Sequence, residues 1–297
     1  MRKIDNNTGG VNRYRWFCLP LIVSLLLAGA SLVQAQPSRF AVAYYNRGNE
    51  RFKKGDMDGA IADYDAALIS YPRWARVFIM RGSARYQKGD LNGSIVDFTR
   101  AIEIDPHMDQ AYYNRGKARR DKGDLEGSIE DYTRAIEINS RLSSAYNNRG
   151  NARKDKGDLD GAMADLDLAI RLDSHNSAFY NNRGLVRRAK GDLQRALADY
   201  DRAIRINSRF ADAYSNRGNV RQDLGDLKGS IVDYDAAISL APSFAKSYGN
   251  RGLARLSQGD RVGAEKDFDQ CLKLDPGLTT ALQEQIEKVK RRFPSKQ

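Results

Sequence analysis

A glycine returns every 34 residues along this chain, at Gly48, Gly82, Gly116, Gly150, Gly184, Gly218 and Gly252. A period of that length confines the chain to repeat architectures. Each copy is one supersecondary unit that cannot bury its own apolar face, so neighbours must stack to make a continuous core. Seven copies occupy residues 41–74, 75–108, 109–142, 143–176, 177–210, 211–244 and 245–278. With Ala41 as position 1, position 4 is always aromatic, position 7 always Arg, and positions 15 and 16 always Gly-Asp. Position 20 is Ala or Ser, position 24 is aromatic except at Leu166, position 27 is Ala except at Cys271, and position 32 is Pro or Ser.

These columns describe a helical hairpin. Positions 1–14 place aromatic, small and long side chains at helical spacing. The glycine at position 15 suits a left-handed C-terminal residue, and the aspartate after it suits an N-cap. Ile129, Tyr132, Ile136 and Ile138 supply the apolar face of a second helix, which Pro72, Pro106, Pro242 and Pro276 end in their copies. Small residues at positions 8 and 20 let the two helices approach closely. Leu282, Ile286, Val289 and Phe293 then form a stripe that predicts a closing helix over 279–293, ahead of a tail at 294–297. Copy four, with Leu166 for the aromatic and Asn176 for the usual apolar residue at position 34, is expected to make the weakest junction.

An aromatic at 4, Gly at 8, Ala at 20, aromatic at 24, Ala at 27 and Pro at 32 on a 34-residue period resembles the tetratricopeptide repeat. The resemblance covers all seven copies. It implies an all-α fold, a right-handed superhelical solenoid of antiparallel helix pairs whose first helices line a concave surface. The chain departs from the family pattern at positions 7 and 11, usually Leu and Tyr and here Arg. This alters the charge accounting and leaves the fold expectation intact.

Ahead of the repeats, Arg2, Lys3, Arg13 and Arg15 precede an apolar run over residues 16–33, then Val33-Gln34-Ala35 and a lead-in at 36–40. Residues 1–35 read as a secretory signal peptide cleaved after Ala35, making the protein exported, periplasmic or secreted; an uncleaved membrane anchor is the alternative. Cys18 opens the apolar run instead of following a lipobox. Loss of the segment removes four basic residues and Asp5, lowering the formal charge of +11 by three, and leaves Cys271 as the one cysteine. No intrachain disulfide is then possible.

The basic balance invites a nucleic-acid reading, which the arginine columns weaken. Fourteen arginines fall at positions 7 and 11, and every copy carries Asp at position 23: Asp63, Asp97, Asp131, Asp165, Asp199, Asp233 and Asp267. Arginines at a helix seam need carboxylate partners, so at least the position-7 set is expected to pair with them, and no nucleic-acid partner is expected. His107 and His175 stand in loops two copies apart and cannot form one dyad. Aspartates two residues apart on a helix, such as Asp63 and Asp65, point to different faces. Gly157-Asp158-Leu159-Asp160-Gly161 lacks the remaining ligands of a calcium loop. No phosphate loop occurs. The chain is therefore expected to be no enzyme and to need no cofactor or metal.

Position 6 returns Asn46, Asn114, Asn148, Asn182, Asn216 and Asn250, interrupted by Met80. Asparagine is a mediocre helix former. Within the family, an asparagine here implies bonding to the backbone of an extended bound peptide; bonding to the neighbouring copy is the competing account. Family geometry adds positions 2, 5, 9 and 12. Tyr45, Phe52, Tyr86 and Tyr113 make one end apolar, Lys117, Arg120, Lys154 and Arg188 follow as a basic stretch, and Asn151 belongs to a polar section. The family's C-terminal-carboxylate clamp is not matched in any three consecutive copies. The expected function is an envelope scaffold holding a protein or extended peptide with acidic and apolar residues. A membrane-anchored assembly factor and an enzyme accessory are the alternatives; the oligomeric state is open.

Overall fold

A computed structural model describes residues 36–292. The signal segment 1–35, Phe293 of the closing stripe and the tail 294–297 lie outside the described residues. Within them the chain is helical throughout, as α1 (Arg39–Lys53), α2 (Met57–Ser70), α3 (Ala75–Gln87), α4 (Leu91–Ile104), α5 (Asp109–Asp121), α6 (Leu125–Ile138), α7 (Ser143–Asp155) and α8 (Leu159–Leu172). There follow α9 (Ser177–Ala189), α10 (Leu193–Ile206), α11 (Ala211–Asp223), α12 (Leu227–Leu240), α13 (Ala245–Ser257), α14 (Arg261–Leu274), a 3₁₀ turn at Pro276–Leu278 and α15 (Thr279–Arg292). Each copy is one hairpin of an odd and an even helix, stacked on the next.

The turn inside each hairpin follows from two residues. The position-15 glycines adopt φ between 80° and 91°, a region a Cβ disfavours. The next N–H reaches back to the helix carbonyl five residues earlier, as Asp56 to Arg51 at 3.0 Å and Asp226 to Arg221 at 2.8 Å, which satisfies carbonyls the helix end would leave open. Asp56, Asp90, Asp124, Asp158, Asp226 and Asp260 then cap the following helix, each accepting a glycine N–H at 2.8–2.9 Å. Copy five has Arg195 in that place, and its cap bond to Asp192 lengthens to 3.3 Å.

The two helices of a hairpin meet where position 8 lies against the ring at position 24. A Cβ on Gly184 would stand 2.7 Å from the Tyr200 ring, and one on Gly252 would stand 2.5 Å from Phe268. Only glycine permits that contact. In copy four the smaller Leu166 leaves 3.1 Å at Gly150. Between hairpins, the alanine at position 27 and the aliphatic at position 28 pack under the next odd helix: Ala67 and Leu68 with Val77, Ala135 and Ile136 with Ala145, and Ala169 and Ile170 with Phe179. At the last of these junctions, expected to be weak, Phe179 replaces the usual small residue and is buried, and Asn176 caps α9 through Ala178 N–H at 3.1 Å. The junction thus keeps an apolar group at position 3 in place of the one lost at position 34.

The arginine columns pair as expected and go further. In every copy the position-7 arginine holds the buried position-23 aspartate of its own hairpin at 2.5–2.7 Å. The position-11 arginine holds the second oxygen of that carboxylate at 2.7–3.1 Å. From copy two onward the position-7 arginine also reaches position 25 of the preceding copy, at Asp65, Thr99, Thr133, Asp167, Asp201 and Asp235, over 2.5–3.1 Å. Its guanidinium lies over the position-4 ring of its own helix, 5.2–5.6 Å from the centroid. Burial works against the charge of Arg81, Arg183, Arg217 and Arg251, but hydrogen bonds to their two aspartates outweigh it and hold the pKa above the ordinary value.

The closing helix ends the stack. Leu282 is buried with Cys271 and Leu253, and Ile286 and Val289 pack beside them.

Two stability predictions follow from these contacts. Asp131→Ala should lower unfolding free energy by about 3 kcal/mol, since it strands Arg115 and Arg119 at the seam; an unchanged urea midpoint would mark these arginines as surface charges. Gly184→Ala should cost about 1–3 kcal/mol by forcing the buried Tyr200 ring to move. Gly150→Ala, opposite Leu166, should cost clearly less in the same melting assay, and equal losses would refute the glycine-ring account.

Candidate binding groove along the odd helices

Side by side, the odd helices present positions 2, 5, 6, 9, 12 and 13. Bonds 35 residues apart run between copies there and form two lines. In the first, position 6 of one copy donates its side-chain amide to position 5 of the copy before. Asn148 donates to the Tyr113 hydroxyl at 3.1 Å, Asn182 to Asn147 Oδ1 at 2.8 Å and Asn216 to Asn181 Oδ1 at 2.9 Å. Within a helix, Asn147 donates to Asn148 at 3.1 Å and Asn181 to Asn182 at 3.5 Å, joining these links into one amide chain across copies three to six. In copy six position 5 is Ser215, so Asn250 turns instead to Asn219 at position 9, at 2.8 Å. Four of the six asparagines therefore engage a neighbouring copy. Asn147 and Asn181, both buried, take part as fully as the residues of the position-6 column.

The chain of amides stops at Asn114. The residue it would meet in the copy before is Ile79, which is apolar and buried. Asn114 is half-buried and has no hydrogen-bond partner among the described residues. It lines a cleft of about 250 Å³ together with Phe52, Ser83, Tyr86, Gln87, Phe98, Gln110 and Lys117. Its lining thus combines aromatic rings with amides, hydroxyls and an ammonium. Lys117 Nζ sits 4.9 Å from the centre of the Tyr86 ring. The Tyr86 hydroxyl donates to Asp121; burial, reinforced by that carboxylate, pushes its pKa up to about 12.

The second line joins position 12 to position 13 of the following copy. Tyr86 meets Asp121 in this way, Arg120 meets Asp155 at 3.5 Å, and Arg188 meets Asp223 at 2.8 Å. Lys154 pairs with its neighbour Asp155 at 3.0 Å. The stretch expected to be basic is thus largely matched by acids. Lys117 rests against an aromatic face, with no carboxylate partner among the described residues. Asn46 is exposed at the open end of the stack, and Asn151 is half-buried. Tyr45 stacks on Trp74 with centroids 5.0 Å apart, and Phe52 belongs to the cleft.

Sequence reasoning missed the position-13 acids and the lining by Ser83, Gln87, Gln110 and Phe98. The acids had a signal, a carboxylate 35 residues after Tyr86, Arg120 and Arg188; the lining had none, because it depends on how far apart neighbouring helices stand. Behind the groove, Tyr64 and Tyr234 donate to Asn49 and Asn219, each at 2.9 Å. Copies three and five lack asparagine at position 9, and there the Tyr132 and Tyr200 hydroxyls are buried with no partner among the described residues. Among the described residues no group of three or more His, Cys, Asp and Glu side chains could hold a metal, and no helix is long and apolar enough to cross a membrane.

Two family models match. One, described as TPR repeat, covers residues 82–119, 116–156 and 184–225; the other, described as tetratricopeptide repeat, covers 41–71, 143–176, 211–244 and 245–278. Among solved structures, a tetratricopeptide repeat protein from Parabacteroides merdae is 16% identical with a TM-score of 0.70, over 85% of this chain and 99% of that one. The APC/C hetero-tetramer Cut9-Hcn1 is 16% identical with a TM-score of 0.69, over 90% of this chain and 51% of that one, so the chain spans about half its length. The pilF protein of Pseudomonas aeruginosa is 20% identical with a TM-score of 0.62, over 72% of this chain and 97% of that one. At these identities the likeness is one of fold. A comparison with curated proteins returns no match.

The amide chain yields a prediction of its own. Asn147→Ala should cost about 1–2 kcal/mol, since Asn147 links Asn148 to Asn182. In a double-mutant cycle with Asn182→Ala, the two losses should fall short of additive by about 1 kcal/mol; strict additivity in denaturant melts would show that the bond contributes nothing.

Proposed function

The chain belongs to the tetratricopeptide-repeat family, and from that premise we infer that it is an exported, non-catalytic interaction scaffold holding an extended segment of a partner protein along the odd helices. The observation that carries the reading is the interrupted amide chain. Copies three to six satisfy much of their own groove, whereas Asn114 keeps both donor and acceptor open beside an aromatic cleft and a lysine without a carboxylate. An amide in that state can pair with a passing peptide backbone without reading its sequence, while the cleft selects a side chain. Phe52, Tyr86 and Phe98 favour an apolar or aromatic residue, and Lys117 favours a carboxylate next to it. Ordering a flexible segment offsets much of the contact energy. The dissociation constant should be on the order of micromolar, equivalent to about −8 kcal/mol, and should weaken with salt.

Export is proposed from the basic and apolar pattern of residues 1–35. Mass spectrometry of the protein recovered from its native host should find a chain beginning near Gln36; a chain retaining residues 16–33 would make the scaffold membrane-anchored.

The groove is tested by selecting from a displayed library of extended peptides. Enriched sequences should pair an apolar residue with a neighbouring acid, and the Asn114→Ala, Lys117→Ala double variant should bind them at least about tenfold more weakly with its helical circular dichroism unchanged. Retention of full affinity by that variant would remove the cleft from the reading.

A further inference from the structure

Among the described residues the stack is finished at one end and open at the other. At its C-terminal end α15 covers copy seven and turns Gln283, Glu284, Glu287 and Lys288 to solvent. At the opposite end the outer face of α1 is built like an interior junction. Position 3 is buried in copies two to seven, as Val77, Ala111, Ala145, Phe179, Ala213 and Ser247, but Ala43 is exposed. Phe40 takes the place that Trp74, Met108, Leu142, Phe210 and Phe244 hold at the inner junctions, and it is 77% exposed.

Arg47 repeats the pattern at the level of single bonds. Its Nε and Nη2 hold Asp63 at 2.5–3.1 Å, as in every copy. Its Nη1, the atom that reaches back to position 25 elsewhere, has no acceptor among the described residues. The side chain is 54% exposed, against 12–16% for its six counterparts.

The six inner junctions show what completes such a face. Each preceding even helix supplies Asp or Thr, any residue, Ala, then Leu or Ile: Asp65 to Leu68, Thr99 to Ile102, Thr133 to Ile136, Asp167 to Ile170, Asp201 to Ile204 and Asp235 to Ile238. The first residue meets the arginine, and the third and fourth cover positions 3 and 34.

We propose that Phe40, Ala43, Tyr44 and Arg47 form a docking face for a helix of a different protein that carries this Asp-x-Ala-Leu/Ile run. Charge favours aspartate over threonine, because the one carboxylate of Asp63 answers both Arg47 and Arg51, and α1 adds Arg39 and Lys53 against Glu50. Residues 1–35 contain no such run: in the repeat register the upstream positions are Ser31, Leu32, Val33 and Gln34, a hydroxyl at the pairing place without the Ala-Leu/Ile pair that follows it elsewhere. A second copy does not supply it either. Its six runs are packed inside the stack, the Cys271 and Leu272 of its remaining counterpart Asp269-Gln270-Cys271-Leu272 are packed against α15 although Asp269 is exposed, and two α1 faces laid together would oppose their arginines. The face is separate from the groove, so the groove reading can fail without affecting it.

The test uses the full chain and a stapled helical peptide with the sequence of residues 191–209, which contains Asp201-Arg202-Ala203-Ile204. Fluorescence anisotropy should show saturable binding, and the same peptide with Asp201→Ala should bind about tenfold more weakly. Ala43→Glu and Phe40→Ser alter exposed side chains, should leave the melting curve unchanged, and should abolish binding. Absence of binding, equal affinity for the two peptides, or equal binding to Ala43→Glu would overturn the proposal. So would sedimentation showing a dimer that Ala43→Glu dissociates, or a gain of affinity on deleting residues 1–35, since either result would assign the face to the chain itself.

Discussion

A buried carboxylate shared by two arginines organises the stack. The position-23 aspartates are at most 4% exposed at the side chain in all seven copies, and a lone charge in that setting would be costly. Each is met on both oxygens from its own odd helix, so the even helix can seat only in one register against its partner. The position-7 arginine then extends to the preceding copy. One guanidinium therefore closes a hairpin and joins it to its neighbour, the kind of nearest-neighbour coupling that makes a repeat array fold as a unit. An apolar pair of similar volume could supply comparable stability. What the ion pairs add is direction, because a planar fork accepts two oxygens in one arrangement.

The same contacts explain why a basic chain need not be a nucleic-acid binder. Seven aspartates answer fourteen arginines at the seams, and position 25 adds Asp65, Asp167, Asp201 and Asp235. Along the groove, Asp155 and Asp223 do likewise for Arg120 and Arg188. Among the described residues, much of the positive charge thus stands beside a carboxylate.

Repetition also determines where the groove can act. Where a copy offers Tyr113, Asn147 or Asn181 at position 5, or Asn219 at position 9, the asparagine of the next copy is drawn into the protein's own bonding. Where it offers Ile79, the asparagine is left open. The groove's chemistry is thus set by departures from the repeat as much as by the repeat. Copy four illustrates the structural side of this: Leu166 loosens the hairpin contact while Phe179 fills the junction beyond it.

The hairpin, the number of copies, the turn and the arginine-aspartate pairing could be read from the sequence, because each depends on residues within one copy at fixed spacing. The 34-residue period, the left-handed glycine and its capping aspartate are local physics, and seven repetitions make them unmistakable. The closing helix was legible for the same reason. The state of Asn114, Asn148 and Asn182 was not, since an identical column of asparagines is compatible with bonding a ligand or bonding a neighbour. Only the packing of successive odd helices sets position 6 beside position 5 of the copy before, so that Asn182 reaches Asn147 while Asn114 faces Ile79 and has no partner among the described residues. The acids of position 13 and the open face of α1 likewise depend on contacts between copies, which the spacing within one copy does not encode.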